Sequence, residues 1–302
     1  MYEEHFGLLN KPFSSSPDAS CFFMSKQHAL AIASMQYSML ANAGMILISG
    51  ESGCGKTLLV QRFASDLDDS VVMGFINNTN VDFGGVAPWV LAAFELRASP
   101  TDEVEMHRVL AKFLDDMADQ QKRVVLVIDE AHNLSDRALE ELRLLLNENT
   151  SETRGIQLVL LGQPSLADRL RHKSMAMLSQ RIALDVELEA FDFQTTYDYI
   201  TYCLSLQGGK PELFDYVART AVFYHSLGIP RLINSLCDLA LVFGYGESLD
   251  SIDHQVIDKV LRSKKVGLHS YRSIEPSSEA VALHAAIKDT HGIDIARFGR
   301  IF

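Results

Sequence analysis

Apolar residues along this chain follow two patterns, and the change between them divides it. As far as about residue 190, short stretches that are apolar at nearly every position alternate with longer ones whose apolar residues return at helical spacing. The short stretches are Met45–Ser49, Val71–Ile76, Val124–Ile128 and Ile156–Leu161. An uninterrupted apolar run suits a strand covered on both faces. Ile182–Leu188 alternates instead and reads as a fifth strand. Helices are predicted over Lys26–Ala41, Thr57–Leu67, Val86–Arg97, Asp102–Gln121, Ser135–Asn149, Pro164–Arg171 and Met175–Arg181. Such alternation predicts a five-stranded parallel sheet with flanking helices, an α/β core. After Phe191 the strands stop. Thr195–Leu206, Pro211–His225, Pro230–Phe243 and Asp253–Arg262 read as a small all-helical domain, and Glu279–Thr290 as one more helix. The expected divisions are a strap at 1–25, the α/β core at 26–191, the helical domain at 192–263 and a C-terminal extension at 264–302. In the strap, Phe6, Phe13, Phe22 and Phe23 need burial, so it reads as ordered.

Composition narrows the class. The 302 residues suffice for one large or two modest cores. Lys and Arg number 27 against 39 Asp and Glu, a net charge of −12, which argues against a mainly electrostatic nucleic-acid binder. The four cysteines (Cys21, Cys54, Cys203, Cys237) have no C-x-x-C spacing, which fits small core residues in a reducing cytosol. No signal peptide opens the chain, and no run of about 18 apolar residues occurs. A cytoplasmic protein is expected, recruited to the inner membrane face only through a partner.

The chemistry starts where the first strand ends. Gly50-Glu51-Ser52-Gly53-Cys54-Gly55-Lys56-Thr57 matches G-x-x-x-x-G-K-T, with a strand before it and a helix, entered through Leu58, after it. The glycines let successive N–H groups turn inward on a phosphate chain, and the helix N-terminus adds its positive end. Lys56 supplies a cation for the β- and γ-phosphates, and the Thr57 hydroxyl is a Mg²⁺ ligand. Asp129 and Glu130 directly follow the third strand. Beside a phosphate loop, Asp129 would hold Mg²⁺ through its water shell and Glu130 would polarise the attacking water. ATP and Mg²⁺ are therefore the expected cofactors. Gln163, after the fourth strand, could sense the γ-phosphate or the lytic water. Asn77, after the second strand, could hold Glu130 inactive. Arg181, before the fifth strand, could serve as an arginine finger, with Arg169 and Arg171 as rivals. Arg231 opens a helix of the second domain behind Pro230 and could fold back onto the nucleotide.

The loop, Asp129-Glu-Ala-His132, Gln163, Gln180-Arg-Ile182 and Gly228-Ile-Pro-Arg231 occur in the order of an AAA+ ATPase. More narrowly, His5-Phe-Gly-Leu8, Lys11-Pro-Phe13, Pro17-Asp18, Val159–Leu166 and Arg231–Leu241 resemble the ExeA/GspA-type (MshM-like) secretion ATPases over roughly residues 1–263. The resemblance implies that the helical domain is an AAA+ lid and that the strap passes near the adenine, with Phe6 and Phe13 packing there. It also implies homo-oligomeric rings or filaments with sites between subunits, and protein partners in secretion or pilus biogenesis. Full-length members continue into a transmembrane helix and a peptidoglycan-binding domain that this sequence does not show. DNA-transposition ATPases of the TnsC/TniB kind share the core, so a DNA-bound adaptor is the rival reading, with Arg262, Lys264 and Lys265 as its basic residues. A nucleotide switch in defence or signalling is a third.

Overall fold

A computed structural model describes residues 1–14, 21–41, 44–77, 85–98, 103–147, 155–263 and 275–299. Pro17, Asp18, Asn78, Lys264 and Lys265 lie outside them. The chain forms two compact units. One holds Lys26–Ser52 and Lys56–Leu188, and the other Met1–Ser25, Gly53–Gly55 and Glu189–Phe302.

The first unit is the α/β core. In chain order it contains α2 (Lys26–Leu40, the four-residue α1 at Tyr2–His5 belonging to the other unit), β1 (Met45–Gly50), α3 (Lys56–Ser65) and β2 (Val71–Ile76). There follow α4 (Ala87–Ala93), α5 (Glu103–Asp119), β3 (Arg123–Ile128), α6 (Asp136–Asn147), β4 (Ile156–Gly162), α7 (Pro164–Leu170), α8 (Ala176–Ser179) and β5 (Ile182–Leu188). All strand pairs are parallel and the order is β2-β3-β4-β1-β5. Every residue of β1 is buried, as its uninterrupted apolar run requires. Met45, Leu47, Leu126, Leu158 and Leu160 face a core shared with α4 to α8. The alternate residues Ile46 and Ile48 take the opposite face, where α2 and α3 lie against β5 and β1. Ser135 caps α6 through its Oγ, which accepts from the Ala138 N–H at 3.2 Å.

Two helix expectations need correction. The helix predicted over 86–97 is only Ala87–Ala93, because Glu95 turns left-handed (φ +57°) and the Leu96 N–H returns to the Leu91 carbonyl at 2.8 Å. The helix predicted over 211–225 is split into a 3₁₀ turn at Pro211–Leu213 and α10 (Tyr216–Ser226). Between them Phe214 bridges Ile252 in parallel fashion, and Asp215 caps the second piece by accepting from the Ala218 N–H at 2.6 Å. Apolar periodicity alone cannot see a cap in mid-run.

The second unit is helical: α9 (Phe193–Leu206), α10, α11 (Pro230–Gly246), α12 (His254–Ser263) and α13 (Ser278–His291). Its core includes Ile200, Leu204, Val222, Ile233, Leu236, Ile257 and Val260. Arg219 lies inside it, 1% exposed, and donates to the carbonyls of Phe214 (3.0 Å), Tyr197 (3.0 Å) and Pro211 and to the Thr201 Oγ1 (2.6 Å). Its guanidinium also stacks 4.0 Å over the Tyr197 ring. Burial pulls its pKa below the usual arginine value. The strap joins this core: Tyr2, Leu8 and Phe13 are buried in it, Tyr2 donates to Asp238, and Phe13 meets Phe214 edge-on at 6.0 Å. Phe13, expected in the strap, thus serves the helical core. The C-terminal extension packs there too, through Ile287 and Ile295 and a 2.8 Å hydrogen bond between His225 and the Ile295 carbonyl.

Candidate active site at the strand ends

Parallel strands in register deliver their carboxyl ends, and whatever follows them, to one edge of the sheet. Ser49 of β1 pairs with Gly162 of β4, so the loop from Gly50 begins beside Gln163. Ile128 of β3 pairs with Leu160 of β4 and Ile76 of β2, which sets Asp129 and Asn77 on the same edge. Residues far apart along the chain are gathered by register alone.

Gly53 and Gly55 take φ of +93° and +95°, conformations an L side chain resists, and α3 starts immediately after at Lys56. The Lys56 side chain is buried at 6% exposure, and its Nζ donates to the Gly50 carbonyl at 2.7 Å and the Glu51 carbonyl at 3.0 Å. A buried ammonium held by the carbonyls of its own loop is placed where an anion in that loop would meet it. Thr57 donates its hydroxyl proton to Asp129 Oδ2 at 2.6 Å, and the Glu130 N–H donates to Asp129 Oδ1 at 2.8 Å. The Asp129 N–H is itself fixed on the Ile76 carbonyl at 2.9 Å. The hydroxyl and carboxylate assigned to one metal thus already touch. The donor set of ammonium, loop N–H groups, hydroxyl and carboxylate is what a Mg²⁺–triphosphate requires.

Glu130 follows in the left-handed conformation, φ +52° and ψ +34°, and opens the 3₁₀ turn Ala131–Asn133. Gln163 is extended (φ −77°, ψ 164°), half-buried, and sits at the N-cap of α7 without using its side chain as a cap. Asn77 is exposed at the end of β2. Arg181 is exposed just before β5. Of its rivals, Arg169 is turned to local work: it donates to the carbonyls of His132 (3.3 Å) and Leu134 (2.7 Å) and lies 3.5 Å from Asp136. Arg171 pairs with Asp168 at 3.0 Å. Arg231 belongs to the helical unit, where its N–H donates to the Gly53 carbonyl at 3.3 Å. Sequence reading missed the Arg169 clamp, since nothing in the spacing of residues 132, 134 and 169 announces it. Among the described residues no group of three or more His, Cys, Asp or Glu could hold a metal on its own.

Comparison with known proteins decides the family. The AAA domain family matches residues 39–170. General secretion pathway protein A of Aeromonas hydrophila is 33% identical over 258 residues, 84% of this chain. The chain belongs to the ExeA/GspA group of AAA+ ATPases. It spans about half of that relative, 47% of its length. The AAA+ fold is shared with the Aeropyrum pernix ORC2 protein, at TM-score 0.64 and 16% identity, over 88% of this chain and 75% of that one. The RuvB Holliday junction branch migration motor of Thermotoga maritima also shares it, at TM-score 0.51 and 17% identity, over 92% of this AAA+ chain and 83% of the other. Among the described residues, no helix is long and apolar enough to cross a membrane.

Proposed function

We propose that this AAA+ protein binds Mg²⁺–ATP at the Gly50–Thr57 loop, hydrolyses it, and uses the cycle as a homo-oligomer to assemble or remodel secretion or pilus proteins. The observation that carries the hydrolytic part is the contact of Thr57 with Asp129 beside the buried Lys56. Residues 50–58 hold the phosphates, with the ammonium of Lys56 on the β- and γ-groups. Thr57 and Asp129 hold the metal, which when bound offsets charge on the transferred phosphoryl group. Glu130 takes proton density from the attacking water. Gln163, Arg181 and Arg231 answer to the γ-phosphate, Arg181 from a neighbouring subunit. The secretion part rests on the likeness to General secretion pathway protein A.

Two variants test the chemistry. Lys56→Ala should lose binding of a fluorescent ATP analogue, and Glu130→Gln should bind it normally while turnover falls at least about a hundredfold. Normal turnover by Glu130→Gln would remove the assigned base. For the partner, the Glu130→Gln protein is used as bait in its native host with ATP present. Envelope secretion or pilus components on the bait support the reading. Salt-sensitive, ATP-dependent capture of duplex DNA in their place would move the protein to the adaptor class.

A further inference from the structure

The turn after Asp129 contains a histidine that the proposed chemistry has not used. His132 Nδ1 is buried, has no hydrogen-bond partner among the described residues, and lies 3.4 Å from Glu130 Oε2. Its ring is 15% exposed and the Glu130 side chain 47%, so the imidazole is the more enclosed member of the pair. The backbone of its turn is held. Arg169 grips the carbonyls of His132 and Leu134, and the N–H groups of Asn133 and Leu134 return to the carbonyls of Glu130 and Ala131 at 2.9 and 3.1 Å. A buried ring nitrogen without a hydrogen bond is costly, and a shift of about half an ångström would bring the carboxylate to hydrogen-bond distance.

We infer that His132 is a positioning residue: its Nδ1–H takes one oxygen of Glu130 and thereby aims the other at the attacking water. This rests on Glu130 being the base. A hydrogen bond to one carboxylate oxygen narrows the directions in which the other can point. The left-handed backbone at Glu130 serves the same end, since it folds residue 130 back toward residue 132 within a single turn.

The test compares His132→Ala, His132→Asn and His132→Gln with Glu130→Gln, each assayed for kcat, for KM toward ATP and for thermal stability. The Asn amide nitrogen falls near the place of Nδ1, and the longer Gln places its nitrogen near Nε2. The expected result is a kcat for the Ala and Gln variants roughly ten- to hundredfold down with KM unchanged, and substantial recovery in His132→Asn. In the Glu130→Gln background His132→Ala should cost nothing further. Equal activity of the Asn and Gln variants, or wild-type kcat in His132→Ala, overturns the inference while leaving Glu130 as base. A fully active Glu130→Gln protein overturns the underlying reading instead. Should His132→Ala fail to fold, the Asn against Gln comparison decides alone.

Discussion

Gly228→Ala measures how far the turn that launches α11, and with it Arg231, is fixed by close backbone approach. Gly228 has φ of +72°, and an added Cβ would lie 1.9 Å from the Phe191 carbonyl oxygen and 2.9 Å from its carbon. The left-handed conformation alone costs an alanine about 1–2 kcal/mol. An ordinary C···O contact needs about 3.3 Å, so the Phe191 backbone must retreat by more than an ångström. That retreat strains or breaks the 2.9 Å hydrogen bond from the Phe191 N–H to the Gly228 carbonyl, worth about 1 kcal/mol net and more where the groups stay buried. The total comes to about 3–5 kcal/mol. Gly292 is the control: its φ is +68° and nothing lies within 4 Å of an added Cβ. Gly292→Ala should therefore cost only the conformational part, about 1–2 kcal/mol. In thermal unfolding of the full chain, Tm should fall on the order of 10 °C for Gly228→Ala and about 2–6 °C for Gly292→Ala. Equal losses in the two variants would refute the steric argument, because they share the backbone conformation and differ only in the clash.

Arg219→Leu should destabilise the helical unit by about 3–5 kcal/mol in urea unfolding, since three carbonyls and a hydroxyl lose their common donor. Unchanged or increased stability would mean that desolvation of the guanidinium cancels its bonds. Alkylation of the native protein at pH 8 should spare Cys203, whose thiol pKa burial pushes up to about 12, and Cys237, pushed well up by the same cause. Peptide mass spectrometry with early labelling at either residue would contradict that burial. The Lys288 ammonium, followed by His284, holds the Asp294 carboxyl below its ordinary value of 3.8, so this ion pair contributes stability above that pH and loses it as pH falls through the lower folded value. Amide protection in α13, taken relative to the intrinsic exchange rate at each pH and followed by NMR from pH 6 down through the carboxyl's folded value, should fall only at the acid end, and Asp294→Asn should remove that step.

Sequence legibility followed distance along the chain. Buried parallel strands announced themselves because β1, β3 and β4 are covered on both faces and must be apolar throughout. The phosphate loop was legible because its chemistry is local to eight residues. The register that gathers Asp129, Gln163 and the loop was implied by parallel topology, yet no single segment carries it, since register belongs to pairs of strands. The need to bury Phe13 was legible, but its destination was not: it finds Phe214 some 200 residues on, and no local pattern encodes that choice. The break before α10 escaped because Phe214 is apolar and in phase while its backbone is engaged elsewhere, with Ile252. His132 stands in the sequence as one letter of a motif, and its relation to Glu130 exists only once the turn closes.

The membership of the helical unit sets an order of manufacture. Residues 26–188, apart from 53–55, complete one unit and are all synthesised before α9 emerges. Tyr2, Leu8 and Phe13 leave the ribosome before the α/β core does, yet their buried neighbours run from Phe191 to Ile295. The α/β core can therefore close during translation while the N-terminal strap waits with its aromatic side chains in water. Residues made before the α/β core are sheltered only after it. A chaperone that recognises exposed aromatic segments would find its longest opportunity at this end, and slowing the ribosome after residue 190 would lengthen it.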